Sequence, residues 1–508
     1  MIWSNFLHFY QPPTQKQYWV DRVTNECYRR IVTELLNNPE AKLTLNVNAV
    51  LCDLWSQYGH QDVIDGLKIL VQRGQVELVG SAKFHPLLPK ISKEEITRQV
   101  HLNEEGLFKY FGVLPPTSRH SGLDPESSKS DQSELLDSGS GAGMTSKTAP
   151  RLRGFFPPEM AYDRYVAEVV ASLGYEWIIA EELSYSQHLG QVKYDRIYNV
   201  SDVGSLQIFF RDRNFSYHVL SGQLGTPALF LQALGERRND GSYLLTAMDG
   251  ETFGHHRPGM EKLLFEIYKD PEIKSVTISE LPTLYPKRES TPTFPSTWAL
   301  MEKDIPRGVP FNRWDEPTNE IHQLQWELTR LATSVIPAPE PESSKQITNN
   351  KKQSAGVTGF RVKPGMTSRE LLDRALHSDQ YWWASATPWW SLEMIERGAM
   401  ELLATVKAAK EEGLCGQDKV DEAQDLYYRI LTTGFAWQRS GKVDEMSKAE
   451  DEAVRMSTDQ GLPSIPGSEL DKMIATIKVE LNSVVAHEEY ERAIQLRDRI
   501  KELEGYRK

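Results

Sequence analysis

"YLLTAMDGETFGHHRPG", residues 243–259, is an apolar run that stops at one acid, Asp249, and passes a second, Glu251, into a turn marked by glycine, histidine and proline. A short continuous apolar run bounded by turn signals reads as a strand buried on both faces. Six further runs have the same form: "NFLHF" (5–9), "LTLNV" (43–47), "VELVG" (76–80), "GFF" (154–156), "EWIIA" (176–180) and "LQIFF" (206–210). Helix-like mixtures of polar and apolar residues separate them, at 20–38, 60–73, 93–110, 163–173 and 224–237. That alternation predicts an α/β fold with a parallel sheet and helices outside it, and a barrel is its simplest closure. "SVTISEL" (275–281) is a candidate eighth strand.

The ends of these runs carry the reactive side chains. His8 and Gln11 follow the first, His85 the third, Glu159 the fourth, Arg211 and Asp212 the sixth, and Asp249 and Glu251 the seventh. In β/α barrels the carboxyl ends of the strands face the active site, so residues far apart in sequence meet there.

Composition excludes several functions. A chain of 508 residues with 39% apolar content buries at least one large core. Its net charge of −13 repels phosphate backbones, so no nucleic-acid partner is expected. Cys27, Cys52 and Cys415 are scattered and lack Cys-x-x-Cys spacing, which supports neither a disulfide framework nor a thiolate zinc site and fits a reducing cytoplasm. No run of about 18 apolar residues occurs, so no membrane span is expected.

Two stretches, 117–153 and 337–369, are rich in Ser, Gly, Pro and Lys and lack any apolar period. Both carry "PESSK" (125–129, 341–345) followed by "GMTS" and a base (143–147, 365–369), as two copies of one in-frame insert would. Both are expected to be disordered surface loops. The resulting division is a catalytic unit over 1–286 and a helical domain over 287–455, each interrupted by one insert. A linker over 456–468 and a helical hairpin over 469–505 follow. The hairpin rests on apolar residues three and four apart: Leu470, Met473, Ile474, Ile477, Leu481 and Val484 before "AHEE", and Tyr490, Ala493, Leu496, Ile500 and Leu503 after it.

Glu159 and Asp249 are the central pair of acids. Glycosyl transfer needs two carboxyl groups flanking the sugar, one to attack or to activate water and one to protonate the leaving oxygen. The wall formed by Phe155, Phe156 and Pro157 in "GFFPPEMAYD" (154–163) would desolvate a neighbouring carboxyl group and raise its pKa. The alternative is an ordinary helix cap, since an acid after a strand is a common N-terminus. Trp314, Trp382, Trp383, Trp389 and Trp390 either stack on sugar rings or fill the helical core.

"HFYQP" (8–12), "GQVELVG" (74–80) with "HPLLP" (85–89), "FFPPEMAYD" (155–163) and "TAMDGETFGHHRPG" (246–259) resemble, in order and spacing, glycoside hydrolase family 57. The resemblance covers about residues 1–430. It implies a seven-stranded β/α barrel acting with retention on α-glucans or related α-glycosides, with Glu159 as nucleophile and Asp249 as general acid/base. It further implies sugar contacts from His8, Tyr10, Gln11, His85, Arg211, Glu251, His255, Trp314, Asp379 and Trp382. The scheme calls for no cofactor and no metal. One position departs from the family pattern: the first motif usually reads His-x-His-Gln-Pro, and here Tyr10 replaces the second histidine. Residues 469–505 resemble the UVR motif of the repair proteins UvrB and UvrC, which implies a protein partner or self-association through the hairpin, against a hairpin folded back on the enzyme. Two other classes stand beside this reading: a metal-dependent carbohydrate deacetylase or mannosidase, and a non-catalytic carbohydrate-binding or scaffold protein.

Overall fold

The computed structural model describes residues 1–116, 149–337, 366–387, 389–458, 465–487 and 489–506. Ten strands form in chain order: β1 (Ile2–Phe9), β2 (Leu43–Val47), β3 (Val76–Leu78), β4 (Gly154–Phe155), β5 (Trp177–Ala180), β6 (Ile197–Val200), β7 (Gln207–Phe210), β8 (Tyr243–Asp249), β9 (Lys274–Ser275) and β10 (Arg288–Thr291). All seven apolar runs are strands. β2 is buried along its whole length and β8 along all but its last residue, because helices cover both faces.

The strands pair as two sheets. One has the order β3-β2-β1-β8, with β9 also pairing β1; the other has the order β10-β6-β7-β5-β4. All pairings are parallel except β6 with β7, which is antiparallel. Single contacts join the sheets at two places. Gly80 donates to Gly154 O at 2.8 Å and accepts from Phe156 at 2.9 Å, while Asp212 N donates to Leu245 O at 2.7 Å. The first join needs glycines. A Cβ on Gly80 would lie 2.1 Å from the Tyr175 hydroxyl, and one on Gly154 would lie 2.0 Å from the Trp177 ring.

Three expectations change. Of "SVTISEL" only Ser275 is strand, in β9, since Thr277 and Glu280 form a reciprocal capping box that turns the chain into a short 3₁₀ helix. β6 and β10 were not expected; they are short, and β10, "REST", has no apolar run. The insert boundaries also tighten. Leu114 pairs with Arg151 and Leu152 is 1% exposed, so residues 149–153 belong to the packed fold. Thr367 caps the helix Ser368–Ala375, so 366–369 does too. Residues 117–148 and 338–365 lie outside the described residues.

A second core is helical, formed by Glu320–Ser334, Ser368–Ala375, Leu392–Glu411 and Gln417–Ser440. The helix Lys442–Thr458 runs into the expected linker, and the hairpin helices are Gly467–Ala486 and Tyr490–Gly505. The apolar stripe of the hairpin is covered by the chain itself. Leu470, Met473, Ile477, Leu496, Ile500 and Leu503 are part of the same hydrophobic cluster as the strands. Met473 packs on Gly225 and Ile477 on Gly259, where the missing side chains let the helix approach. The surface expected to serve a partner is therefore occupied within the chain. Among the described residues no helix is long and apolar enough to cross a membrane.

Candidate active site

Register assembles one wall of the site. His8 at the end of β1 is level with Asn46 on β2 and Asp249 on β8, so the three stand in one row across the carboxyl ends of the strands. His8 Nδ1 lies 2.6 Å from Asn46 Oδ1, and burial lowers its pKa to about 4, which keeps the ring neutral.

Glu159 enters from the other sheet. Pro157 and Pro158 stiffen the approach, and Glu159 and Met160 both hold left-handed backbone, at φ 60° and 47°. Non-glycine residues in that region are strained by about 1 kcal/mol or more each, a strain that persists where the surroundings over-determine the conformation. Here an extended segment supplies them: Tyr162 and Ser296 exchange backbone hydrogen bonds, and Trp298 N donates to Glu159 O. Trp298 Nε1 then donates to Glu159 Oε2 at 3.1 Å, and the Ser378 hydroxyl donates to Oε1 at 2.7 Å. His85 Nδ1 is 3.0 Å from the same hydroxyl. Because the single hydroxyl proton goes to Glu159, His85 donates from Nδ1 and leaves Nε2 bare. Burial lowers the His85 pKa well below its usual value, which fits a neutral ring.

Tyr10 stacks on His85 with ring centroids 4.1 Å apart, and its hydroxyl donates to Asp379 Oδ2 at 2.7 Å. His377 joins Asp379 to Glu401, with 3.2 Å on each side. Burial disfavours the His377 cation, but the two carboxylates outweigh it and push the pKa up to about 9. That cation in turn overcomes the burial of Asp379 and holds it ionised. Burial first, and then the charge of Asp379, push Glu159 up to about 8 against the bonds from Ser378 and Trp298; Asp249 adds to the rise. Burial pushes Asp249 up to about 6 against the pull of Arg211. Burial and Asp249 push Glu251 up to about 8, while Gln11 Nε2, at 3.1 Å, and the Tyr28 hydroxyl donate to it. Glu159, Asp249 and Asp379 are all only partly buried, so this cluster of acids opens onto solvent.

Three expected sugar contacts have other partners. Arg211 is 2% exposed; it pairs with Glu181 at 2.6 Å and donates to Ala247 O and Trp298 O, so it braces Trp298. Trp314 is fully buried and stacks under the half-exposed Trp382 at 5.0 Å, because it fills the junction with Trp326 and Tyr381. His255 pairs with Glu26 at 2.5 Å beside the hairpin. Asp212 caps the helix Arg213–Leu220. Trp298, Ser378, His377 and Glu401 were not singled out from sequence. Ser378 and His377 lie in "HSDQYWW" beside Asp379, a signal that was available; Trp298 and Glu401 have none. Among the described residues no three His, Cys, Asp or Glu side chains are grouped so as to hold a metal ion, so the metal-dependent alternative lacks a donor set there.

The model of glycosyl hydrolase family 57 matches residues 7–123 and 150–290, more than half of the chain. The chain belongs to glycosyl hydrolase family 57. A second model, the UvrB/uvrC motif, matches 471–506. An α-amylase of Pyrococcus horikoshii is 21% identical over 262 residues, 51% of this chain and 35% of the amylase. An α-amylase of Pyrococcus abyssi is 30% identical over 99 residues, 20% of this chain and 15% of that protein. This family 57 chain thus spans about a third or less of the length of those curated relatives. Among solved structures, the branching enzyme of Pyrococcus horikoshii superposes with a TM-score of 0.53 at 15% identity, covering 85% of this chain and 96% of that one. A maltose-forming amylase from a Pyrococcus species superposes at 0.56 with 12% identity, covering 86% and 85%. At these identities the likeness is one of fold.

Proposed function

We propose that this family 57 chain is a retaining α-glycoside hydrolase or α-glucanotransferase acting on an α-glucan or related oligosaccharide. Glu159 attacks the anomeric carbon while Asp249 protonates the glycosidic oxygen; water or a second sugar hydroxyl then resolves the glycosyl-enzyme with Asp249 as base. The observation that carries the reading is Glu159, held by two donated hydrogen bonds on the turn after β4 and close enough to Asp249 at the end of β8 for the charge of Asp249 to add to its raised pKa. The names of the relatives, amylases and a branching enzyme, support the substrate class. The seven-stranded barrel belongs to the same proposal: the joins at Gly80 and Asp212 would link β1, β2, β3, β4, β5, β7 and β8 into a ring. The test is product analysis of the purified protein on maltooligosaccharides and glycogen; no change in any of them would sink the reading.

The pKa values predict an unusual pH profile. The reactive form needs Glu159 ionised, favoured as pH rises through about 8, and Asp249 protonated, favoured as pH falls through about 6. The product of the two fractions is a bell for kcat/KM with limbs at about 6 and 8, and only about 1% of the enzyme is in the reactive form at its peak near neutral pH. A profile flat across about pH 5 to 9 would exclude these two groups. Ser378→Ala removes a bond donated to ionised Glu159, so the upper limb should move to higher pH and the peak should fall. An unmoved upper limb would show that Ser378 does not set the ionisation of Glu159.

A further inference from the structure

The segment from Asp249 to His256 carries the proposed acid/base, and it is gripped from two sides. On one side is a five-residue π turn, Thr24–Tyr28, a geometry common at functional sites. It offers the Cys27 thiol to Gly250 O at 2.9 Å, the Tyr28 hydroxyl to Glu251, and Glu26 to His255. On the other side is the C-terminal hairpin. Arg492, 3% exposed, donates from Nη1 to Gly254 O, while its Nε and Nη2 lie 3.3 and 3.0 Å from Glu480 Oε1. Gly254 has φ +115° and no room for a side chain, since a Cβ would fall 2.2 Å from Glu26 O. Gly254 thus lies close against the π turn while its carbonyl is held by a buried guanidinium.

From this we propose that Arg492 is a positioning residue, through which the hairpin fixes the 249–256 segment and with it the acid/base. The hairpin is then a working part of the active site and not a detachable tether. The inference rests on the glycosidase reading for its link to turnover, but not for its structural content. Two neighbouring groups separate positioning from plain stability. Glu480 is hydrogen-bonded to Arg492 and also to Arg30 at 3.0 Å, and among the described residues its polar partners lie outside the 249–256 segment. Glu480→Gln therefore weakens the hairpin's ion pairs and leaves the bond to Gly254 O, whereas Arg492→Met removes that bond.

The experiment compares Arg492→Met, Glu480→Gln and the wild-type full chain by melting, steady-state kinetics on a maltooligosaccharide, and amide hydrogen exchange of peptides spanning 250–256. Arg492→Met is expected to lower kcat about tenfold with KM nearly unchanged, because a small displacement of the acid/base weakens transition-state interactions more than binding. It should also speed exchange at His255 and His256, whose amides bond to Glu251 O at 3.2 and 2.8 Å. Glu480→Gln should melt earlier but keep kcat and slow exchange. Unchanged exchange in Arg492→Met overturns the proposal, and so does a parallel loss of kcat in both variants that follows their melting temperatures. Should the wild type turn over no glucan, the functional reading fails by itself, and the exchange comparison still decides whether Arg492 holds the segment.

Discussion

Glu159→Gln should lose at least about 10³-fold in kcat while folding as the wild type does, because an amide replaces the attacking oxygen but can keep both neighbours. The amide oxygen can accept from Trp298 Nε1, and the amide nitrogen can donate to the Ser378 hydroxyl, which turns to accept. At neutral pH the wild-type carboxyl, pushed up to about 8, is already mostly protonated, so exchanging it for a neutral amide removes no ion pair. Melting should therefore be unchanged or slightly raised, as is common where a strained functional group is neutralised. The backbone also selects the variant for chemical rescue by a small anion. With φ at 60°, glycine relieves the strain that alanine would keep, so Glu159→Gly is the better cavity variant. Azide added to Glu159→Gly with an activated aryl α-glycoside should restore turnover and give a glycosyl azide of inverted configuration. Wild-type rates in Glu159→Gln would end the assignment; so would a rescued product that keeps its configuration.

The strands were legible for a simple physical reason. Strands covered on both faces are dominated by apolar residues, and these seven are, from "NFLHF" to "YLLTAM", apart from a few polar positions such as Asn46 and Glu77. β10 is a partly exposed edge strand, and β6, though mostly buried, is only four residues long and is broken by Asn199, so neither stood out as such a run. At the site, acids that end strands were visible because they interrupt apolar runs. Trp298 was hidden because its place comes from a pairing between Tyr162 and Ser296, 134 residues apart, which no local pattern encodes. Arg211 misled in the opposite direction: its position after a strand is the same as that of Glu159, but a buried partner, Glu181 on the neighbouring strand end, takes its charge. Spacing shows that a side chain reaches the rim; only the tertiary contacts show whether it faces substrate or protein. Tyr10 illustrates the gain from seeing both. As a sequence change it is a lost imidazole; in place, its hydroxyl bonds Asp379, which with Glu401 forms ion pairs to His377.

Leu496→Glu with Ile500→Glu should lower the melting temperature by on the order of 5 °C or more without changing the mass in solution. Both side chains are buried in the same cluster as the strands, at 0% and 8% exposure. Each substitution forfeits about 1.5–3 kcal/mol of apolar burial and puts a carboxylate into a hydrophobic cluster. The charges can reach water only if the hairpin leaves its seat, and that would uncover Met473 and Ile477 and break the bonds of Arg499 to Gly222 O and Thr226 to Glu469. The loss is therefore bounded by the docking energy of the hairpin. A hairpin that joins copies of the chain predicts the reverse pattern, a fall in mass by light scattering with unchanged melting, and that result would refute the intramolecular seat. Activity adds a third reading. If the hairpin were only a tether, kcat on a small substrate would survive its release; with Arg492 drawn away from Gly254, kcat should fall in the double variant as it does in Arg492→Met.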